Sequence, residues 1–210
     1  MYLGHLAAGL VLKARVREAP LSWLLFGTVL SDLLCGLLLI LGAERFVIHG
    51  TLTFSHTEAD IRYSHSLVSS LLLALVFGAA AARFFRASRV GIAMGLAVLS
   101  HYVLDVLSHL PDMPIIGFGA QPDLILGTRL AAYPLAHYVI ELAWCLVAWA
   151  VLDRTDRRLL WTILLLMVPY ANTLFGFVPL PAPSGTVMGI AMLFLFTLTP
   201  VLLLWAARDR

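Results

Sequence analysis

Residues 90–107 read VGIAMGLAVLSHYVLDVL, a run without lysine or arginine that nevertheless contains His101 and Asp105. As a helix rising about 1.5 Å per residue it spans about 27 Å, close to the thickness of bilayer hydrocarbon. Apolar residues occupy nearly its whole circumference, which suits lipid or a deep core and not a water-facing helix. Working outward from it, comparable runs cover Leu21–Ala43, Ser66–Phe85, Ala131–Leu152, Leu159–Val178 and Thr186–Ala206. Tyr2–Leu12 is also apolar but is about half a membrane long, and reads as a re-entrant or interfacial half-helix. The fold class expected is all-α: a polytopic membrane helix bundle of about six transmembrane helices plus the N-terminal half-helix, forming one domain over residues 1–210.

Composition agrees. The chain is 61% hydrophobic and 12% charged, with mean hydropathy +0.94, whereas soluble domains are about half apolar and a quarter charged. A net charge of +2 is too small to suggest a nucleic-acid partner. Cys35 and Cys145 fall within apolar runs and read as small buried hydrophobes. Lys13, Arg15 and Arg17 follow the first apolar stretch instead of preceding it, so a cleavable signal peptide is not expected.

The positive charges alternate along the chain. Lys13, Arg15 and Arg17 precede the first long span, Arg83, Arg86 and Arg89 follow the second, Arg154, Arg157 and Arg158 follow the fourth, and Arg208 and Arg210 close the chain. The intervening loops hold only Arg45, Arg62 and Arg129. The positive-inside rule places the basic loops and the C-terminus in the cytoplasm, with the other loops outside.

Ionisable residues inside the spans carry the chemistry, because each costs a few kcal/mol to insert. Asp32, His101, Asp105, His137 and Glu141 lie in long spans, His5 lies in the half-helix, and His65, His109 and Asp112 lie at outer ends. His101, Asp105 and His109 follow one another at i,i+4 spacing on one stripe, and His137 and Glu141 repeat that spacing on the next span. Two such pairs facing each other would offer four N and O donors to one divalent metal. A His and carboxylate set without thiolate suits Zn, with Mn or Fe also compatible. The alternative reading of the same residues is a buried hydrogen-bonded network that fixes helix packing.

Several short motifs occur in order: Gly4-His5-x-x-x-Gly9, Ser31-Asp32, Arg62-Tyr63-Ser64-His65-Ser66 and Ser100-His101-x-x-x-Asp105. Together, over residues 1–145, they resemble the bacterial YdjM-like inner-membrane proteins, described as membrane-bound metal-dependent hydrolases. The resemblance implies His5, Asp32, His65, His101 and Asp105 as ligands or catalytic groups. The chain departs from the commoner pattern at Ile61-Arg62 before the Tyr-Ser-His-Ser and at Leu33-Leu34-Cys35 after Asp32. His109, His137 and Glu141 are the candidates to complete the set.

The function expected is a membrane-embedded hydrolase acting through metal-activated water on a lipid or other amphiphile near the outer leaflet. His5, His65, His101, Asp105, His109 and His137 are the candidate metal ligands. Asp32 and Glu141 are candidate acid–base groups, and Arg62 a candidate stabiliser of an oxyanion or phosphate. Ser64 and Ser66 read as partners of the ligands. A proton- or cation-coupled transporter, with a helix broken at Pro169, and a non-catalytic metal-binding scaffold draw on the same residues. Substrate identity and oligomeric state stay open.

Overall fold

The computed structural model describes residues 1–119 and 123–207. These form eight α-helices: α1 (Leu3–Arg15), α2 (Leu21–Thr28), α3 (Leu30–Ile40), α4 (Leu67–Phe85), α5 (Ser88–Ser108), α6 (Pro134–Asp153), α7 (Arg157–Phe175) and α8 (Gly185–Ala206). Two short antiparallel hairpins pair β1 (Arg45–Ile48) with β2 (Thr57–Asp60) and β3 (Met113–Pro114) with β4 (Ile125–Leu126). Helices α4 to α8 are each long and apolar enough to cross a membrane, and α2 with α3 makes a sixth span if the pair is counted as one. The protein is a multi-pass helical membrane bundle.

Its surface supports this. Leu75, Val76, Phe84, Leu165 and Phe194 are each more than 60% exposed on their helices. Apolar exposure on this scale in water would mark an interaction surface; on a spanning helix it faces lipid. Small residues let helices approach closely where they pack. A Cβ added to Gly91 of α5 would lie 2.6 Å from the Gly78 carbonyl of α4, so the α4–α5 contact requires glycine there.

The first long span is not one helix. It breaks at Val29 (φ −114°, ψ 8°), and α2 and α3 meet at 48°. Apolar periodicity runs unbroken through Leu21–Ala43, so hydropathy hides the break. Gly27 approaches the α5 backbone and Thr28 turns its hydroxyl onto the Leu25 carbonyl at 2.8 Å, an arrangement that bends helices. By contrast α7 continues through Pro169, so the discontinuity expected there lies in the first span instead.

Helix α1 is not interfacial: every residue from Leu3 to Leu10 is buried, as in a half-helix that enters the bundle among the spans. Leu3, Leu6 and Leu10 pack with Leu25, Cys145, Ile163, Met167 and Leu203, which makes α1 the central strut of the bundle. A short helix that is apolar all round has no wet face to offer an interface.

Other boundaries move by a few residues. Residues 130–132 form a 3-10 turn, and Pro134, suited to a first helical turn, opens α6. Gly176 ends α7 in the left-handed conformation (φ 64°). The basic clusters gather at one end, where Arg89 reaches the Arg15 carbonyl and Glu18, and Arg158 stacks on Trp205. Arg208 and Arg210 lie outside the described residues. Both hairpins lie at the opposite, loop end.

Candidate metal centre

The break at Val29 leaves the Thr28 carbonyl outside helical hydrogen bonding, and the His101 side chain of α5 takes it up, with Nδ1 2.7 Å from the oxygen. A carbonyl can only accept, so Nδ1 carries the proton and Nε2 presents a lone pair to the interior. Asp32, in the first turn of α3, sits beside the helix N-terminus, where a carboxylate is favoured. His65 directly precedes Ser66, whose hydroxyl caps α4 by accepting from Ser69 N at 3.1 Å. That cap fixes where the chain enters the helix and turns the His65 ring inward.

These elements converge. His65 Nε2 lies 3.1 Å from His101 Nε2, 3.7 Å from Asp105 Oδ2 and 3.7 Å from Asp32 Oδ1. His101 Nε2 is 3.0 Å from Asp105 Oδ2. The four side chains are all at least nine-tenths buried. Asp32 Oδ2 is buried with no hydrogen-bond partner among the described residues. A tetrahedral ion with bonds of about 2.0–2.1 Å sets its donors about 3.3 Å apart. The observed spacings bracket that value, and Asp32, His65 and His101 form one group able to hold a metal.

His5 of α1 completes a second such group with His101 and Asp105. Its ring stacks on that of His101 at 3.8 Å, and its Nε2 lies 3.1 Å from Asp105 Oδ1. The Met1 nitrogen donates to the same oxygen at 2.9 Å. Asp105 therefore divides its two oxygens: Oδ1 is held by α1, and Oδ2 faces His65 and His101. His109 approaches Oδ1 more loosely, at 3.5 Å, while its Nδ1 is 3.2 Å from Asp112 Oδ1.

The other expected ligands lie elsewhere. His137 and Glu141 do not face the His101–Asp105 pair, because α1 packs against both α5 and α6 there. Glu141 Oε1 accepts from Tyr2 N at 2.7 Å and Gly4 N at 2.8 Å, satisfying amides that the start of a helix leaves free. Trp144 adds a bond to the Gly4 carbonyl at 2.9 Å. Glu141 thus docks the helix that carries His5. His137 Nε2 meets the Tyr170 hydroxyl at 3.2 Å and Glu141 Oε2 at 3.5 Å. Tyr170 of α7 is thus a partner of His137.

Arg62 lies outside the cluster. Its Nε donates to Asp60 Oδ1 at 2.7 Å, and it lines a cavity of about 440 Å³ at the loop end together with Glu58, Asp112, Asp123 and Arg129. Asp112 connects this cavity, through His109, to Asp105. Asp123 clips the loop by accepting from Ile116 N and Gly117 N, and these bonds lower its pKa.

Sequence reasoning missed Glu44. It is 4% exposed, and its carboxylate accepts from Tyr63 N at 2.8 Å, Ser64 N at 2.7 Å and Ser64 Oγ at 2.7 Å. Adjacent Arg45 and a loop position disguise it as a solvated residue. Ser64 Oγ in turn lies 2.7 Å from His65 Nδ1. No family model, curated protein or solved structure matches the chain.

Proposed function

We propose that the protein is a membrane-embedded metal-dependent hydrolase, as the resemblance to YdjM-like proteins implies, acting on a lipid or similar amphiphile. The observation that carries this reading is the approach of His65 Nε2 and His101 Nε2 to 3.1 Å beside Asp105 Oδ2. With the His101 proton on Nδ1, a lone pair points at the neighbouring ring and at a carboxylate, and only a proton or a cation between them relieves that contact. Two neutral imidazoles and two carboxylates would balance one divalent charge, with Zn the best match and Mn or Fe compatible.

Asp32, His65, His101 and Asp105 would hold the ion, and His5 would fix the far oxygen of Asp105. A bound ion would supply Lewis acidity and an activated water. The protein's own groups manage access and protons. His109 has one nitrogen toward Asp112 at the cavity and the other toward Asp105, so uptake of a proton at one nitrogen and release from the other would pass a proton between cavity and cluster and leave the ring in its other tautomer. The cavity would seat a headgroup, while the exposed Ile116, Phe118, Leu124 and Ile125 beside it contact acyl chains. In this reading the loop end faces outside a bacterial inner membrane and the C-terminus faces the cytoplasm.

Cation-coupled transport is the second reading, favoured by the broken helix at Val29, since discontinuous helices commonly hold coupling ions. The buried donors, however, gather toward one end and do not line a route across the bundle. The test is to purify the protein in detergent without chelator and quantify bound metal in the native chain, His101→Ala and Asp105→Ala. Near-stoichiometric metal lost in both variants, with hydrolysis of a phospholipid or ester amphiphile, supports the enzyme. Native protein without metal sinks it. Metal with ion flux in proteoliposomes and no hydrolysis moves the assignment to transport.

A further inference from the structure

The hydrogen of one hydroxyl group determines whether His65 can act as a donor. Ser64 Oγ lies between Glu44 Oε2 and His65 Nδ1, 2.7 Å from each. An ionised carboxylate only accepts, so the single Ser64 hydrogen points to Glu44. The competing acceptor, the Ile61 carbonyl, is 3.5 Å away and uncharged, whereas the Glu44 bond is short and charge-assisted. Ser64 Oγ then turns a lone pair to His65, and the hydrogen in that second bond must sit on Nδ1. His65 Nε2 is left unprotonated, facing His101 Nε2 at 3.1 Å.

We infer that Glu44 is a positioning residue that acts through Ser64 to fix His65 in the tautomer whose Nε2 is a metal donor. The inference rests on the metal-centre reading for its purpose, though not for its geometry. Ligating histidines characteristically pass their second N–H to a partner that sets the tautomer. His101 uses the Thr28 carbonyl for this, and His65 uses a serine whose direction a carboxylate sets. Glu44 immediately precedes β1, so the same carboxylate ties the β1–β2 hairpin to the segment that enters α4. Docking of the hairpin and readiness of His65 are thereby linked.

The relay has a polarity that an isosteric change reverses. In Glu44→Gln the amide oxygen keeps the Tyr63 and Ser64 N–H groups, which places the NH2 toward Ser64 Oγ as a donor. Of the two acceptors left to the Ser64 hydroxyl, His65 Nδ1 at 2.7 Å is much nearer than the Ile61 carbonyl at 3.5 Å, so the hydrogen turns to His65 and the ring proton moves to Nε2, where it blocks coordination. Ser64→Ala removes the relay without reversing it.

The test uses the full chain in detergent micelles. Ring 15N shifts of the histidines are recorded with chelator present, and Zn²⁺ affinity is measured by competition with a chromophoric chelator. The expected result is His65 protonated on Nδ1 in the native protein and on Nε2 in Glu44→Gln, with Zn²⁺ affinity lowered about 10–100-fold. Ser64→Ala should lose less, and Glu44→Gln/Ser64→Ala no more than Ser64→Ala alone, because without the hydroxyl the amide has nothing to invert. Native tautomer and native affinity in Glu44→Gln would overturn the inference. Should that variant not fold, Ser64→Ala decides: retention of the Nδ1–H form at full population overturns the relay, and a mixed population supports it. If the native chain binds no Zn²⁺, the metal reading fails while the 15N shifts still decide the relay.

Discussion

Thr28 and His101 meet where the first span breaks, the Thr28 carbonyl accepting from His101 Nδ1 at 2.7 Å. The contact joins two roles in one ring: one nitrogen satisfies backbone that the break exposes within the bilayer, and the other faces the donor cluster. His101→Ala removes both. An unpartnered buried carbonyl costs about 1–3 kcal/mol, so this variant should unfold at lower temperature than the native chain even when both are held in chelator. A loss seen only in the presence of metal would mean that the Thr28 bond contributes nothing.

Glu141 separates a docking role from a chemical one. Its Oε1 caps α1 through Tyr2 N and Gly4 N. Glu141→Gln preserves an acceptor and should keep bound metal near the native level. Glu141→Ala leaves two buried amides unpaired and should cost about 1–3 kcal/mol or more, with looser metal binding as His5 shifts. Complete loss of metal in Glu141→Gln with the fold intact would instead place the carboxylate among the ligands.

Metal removal should be felt in stability. A ligand that binds only the folded state at a hundred times its dissociation constant contributes about 2.7 kcal/mol. Chelation should therefore lower the thermal midpoint of the native chain. His137→Ala should still show that shift, because His137 belongs to the Tyr170 and Glu141 contacts. Asp105→Ala should abolish it. Equal chelator shifts in the native chain and Asp105→Ala would remove Asp105 from the donor set.

Hydropathy made the spans legible, since a bilayer demands long apolar helices and little else resembles them. The stripe of His101 and Asp105 was legible for the same reason: ionisable groups stand out against hydrocarbon. The partners of that stripe were not. Pairing it with His137 and Glu141 follows from matching i,i+4 spacing, but spacing on one helix says nothing about which helices face each other. Insertion of α1, an apolar segment too short to span, decides that question through the Glu141 cap. The break at Val29 leaves no mark on hydropathy, and Gly27 and Thr28 are weak cues in a membrane helix. Glu44 stayed hidden because its burial comes from tertiary contact with Tyr63 and Ser64, nineteen and twenty residues away.

The loop-end cavity yields a prediction about ligand charge. Its ≈440 Å³ is lined by Arg62 and Arg129 and by Glu58, Asp60, Asp112 and Asp123, with Leu110, Pro114 and Ile125 between them. Asp60 is engaged by Arg45 and Arg62, and Asp123 by loop amides. Arg129 has no ion-pair partner among the described residues, and Asp112 has only His109. One guanidinium able to meet a phosphate, lining the same cavity as carboxylates able to meet an ammonium, suits a zwitterionic headgroup better than a purely anionic one. A short-chain phosphatidylethanolamine should therefore raise the thermal midpoint of the detergent-solubilised protein more than the matching phosphatidylglycerol. Because Arg129 is exposed, Arg129→Ala should weaken that binding only modestly, by about fivefold. Asp112→Asn should narrow the difference between the two lipids by removing the charge that meets the ammonium. Equal responses to both lipids in the native chain would show that the carboxylates take no part in recognising a headgroup.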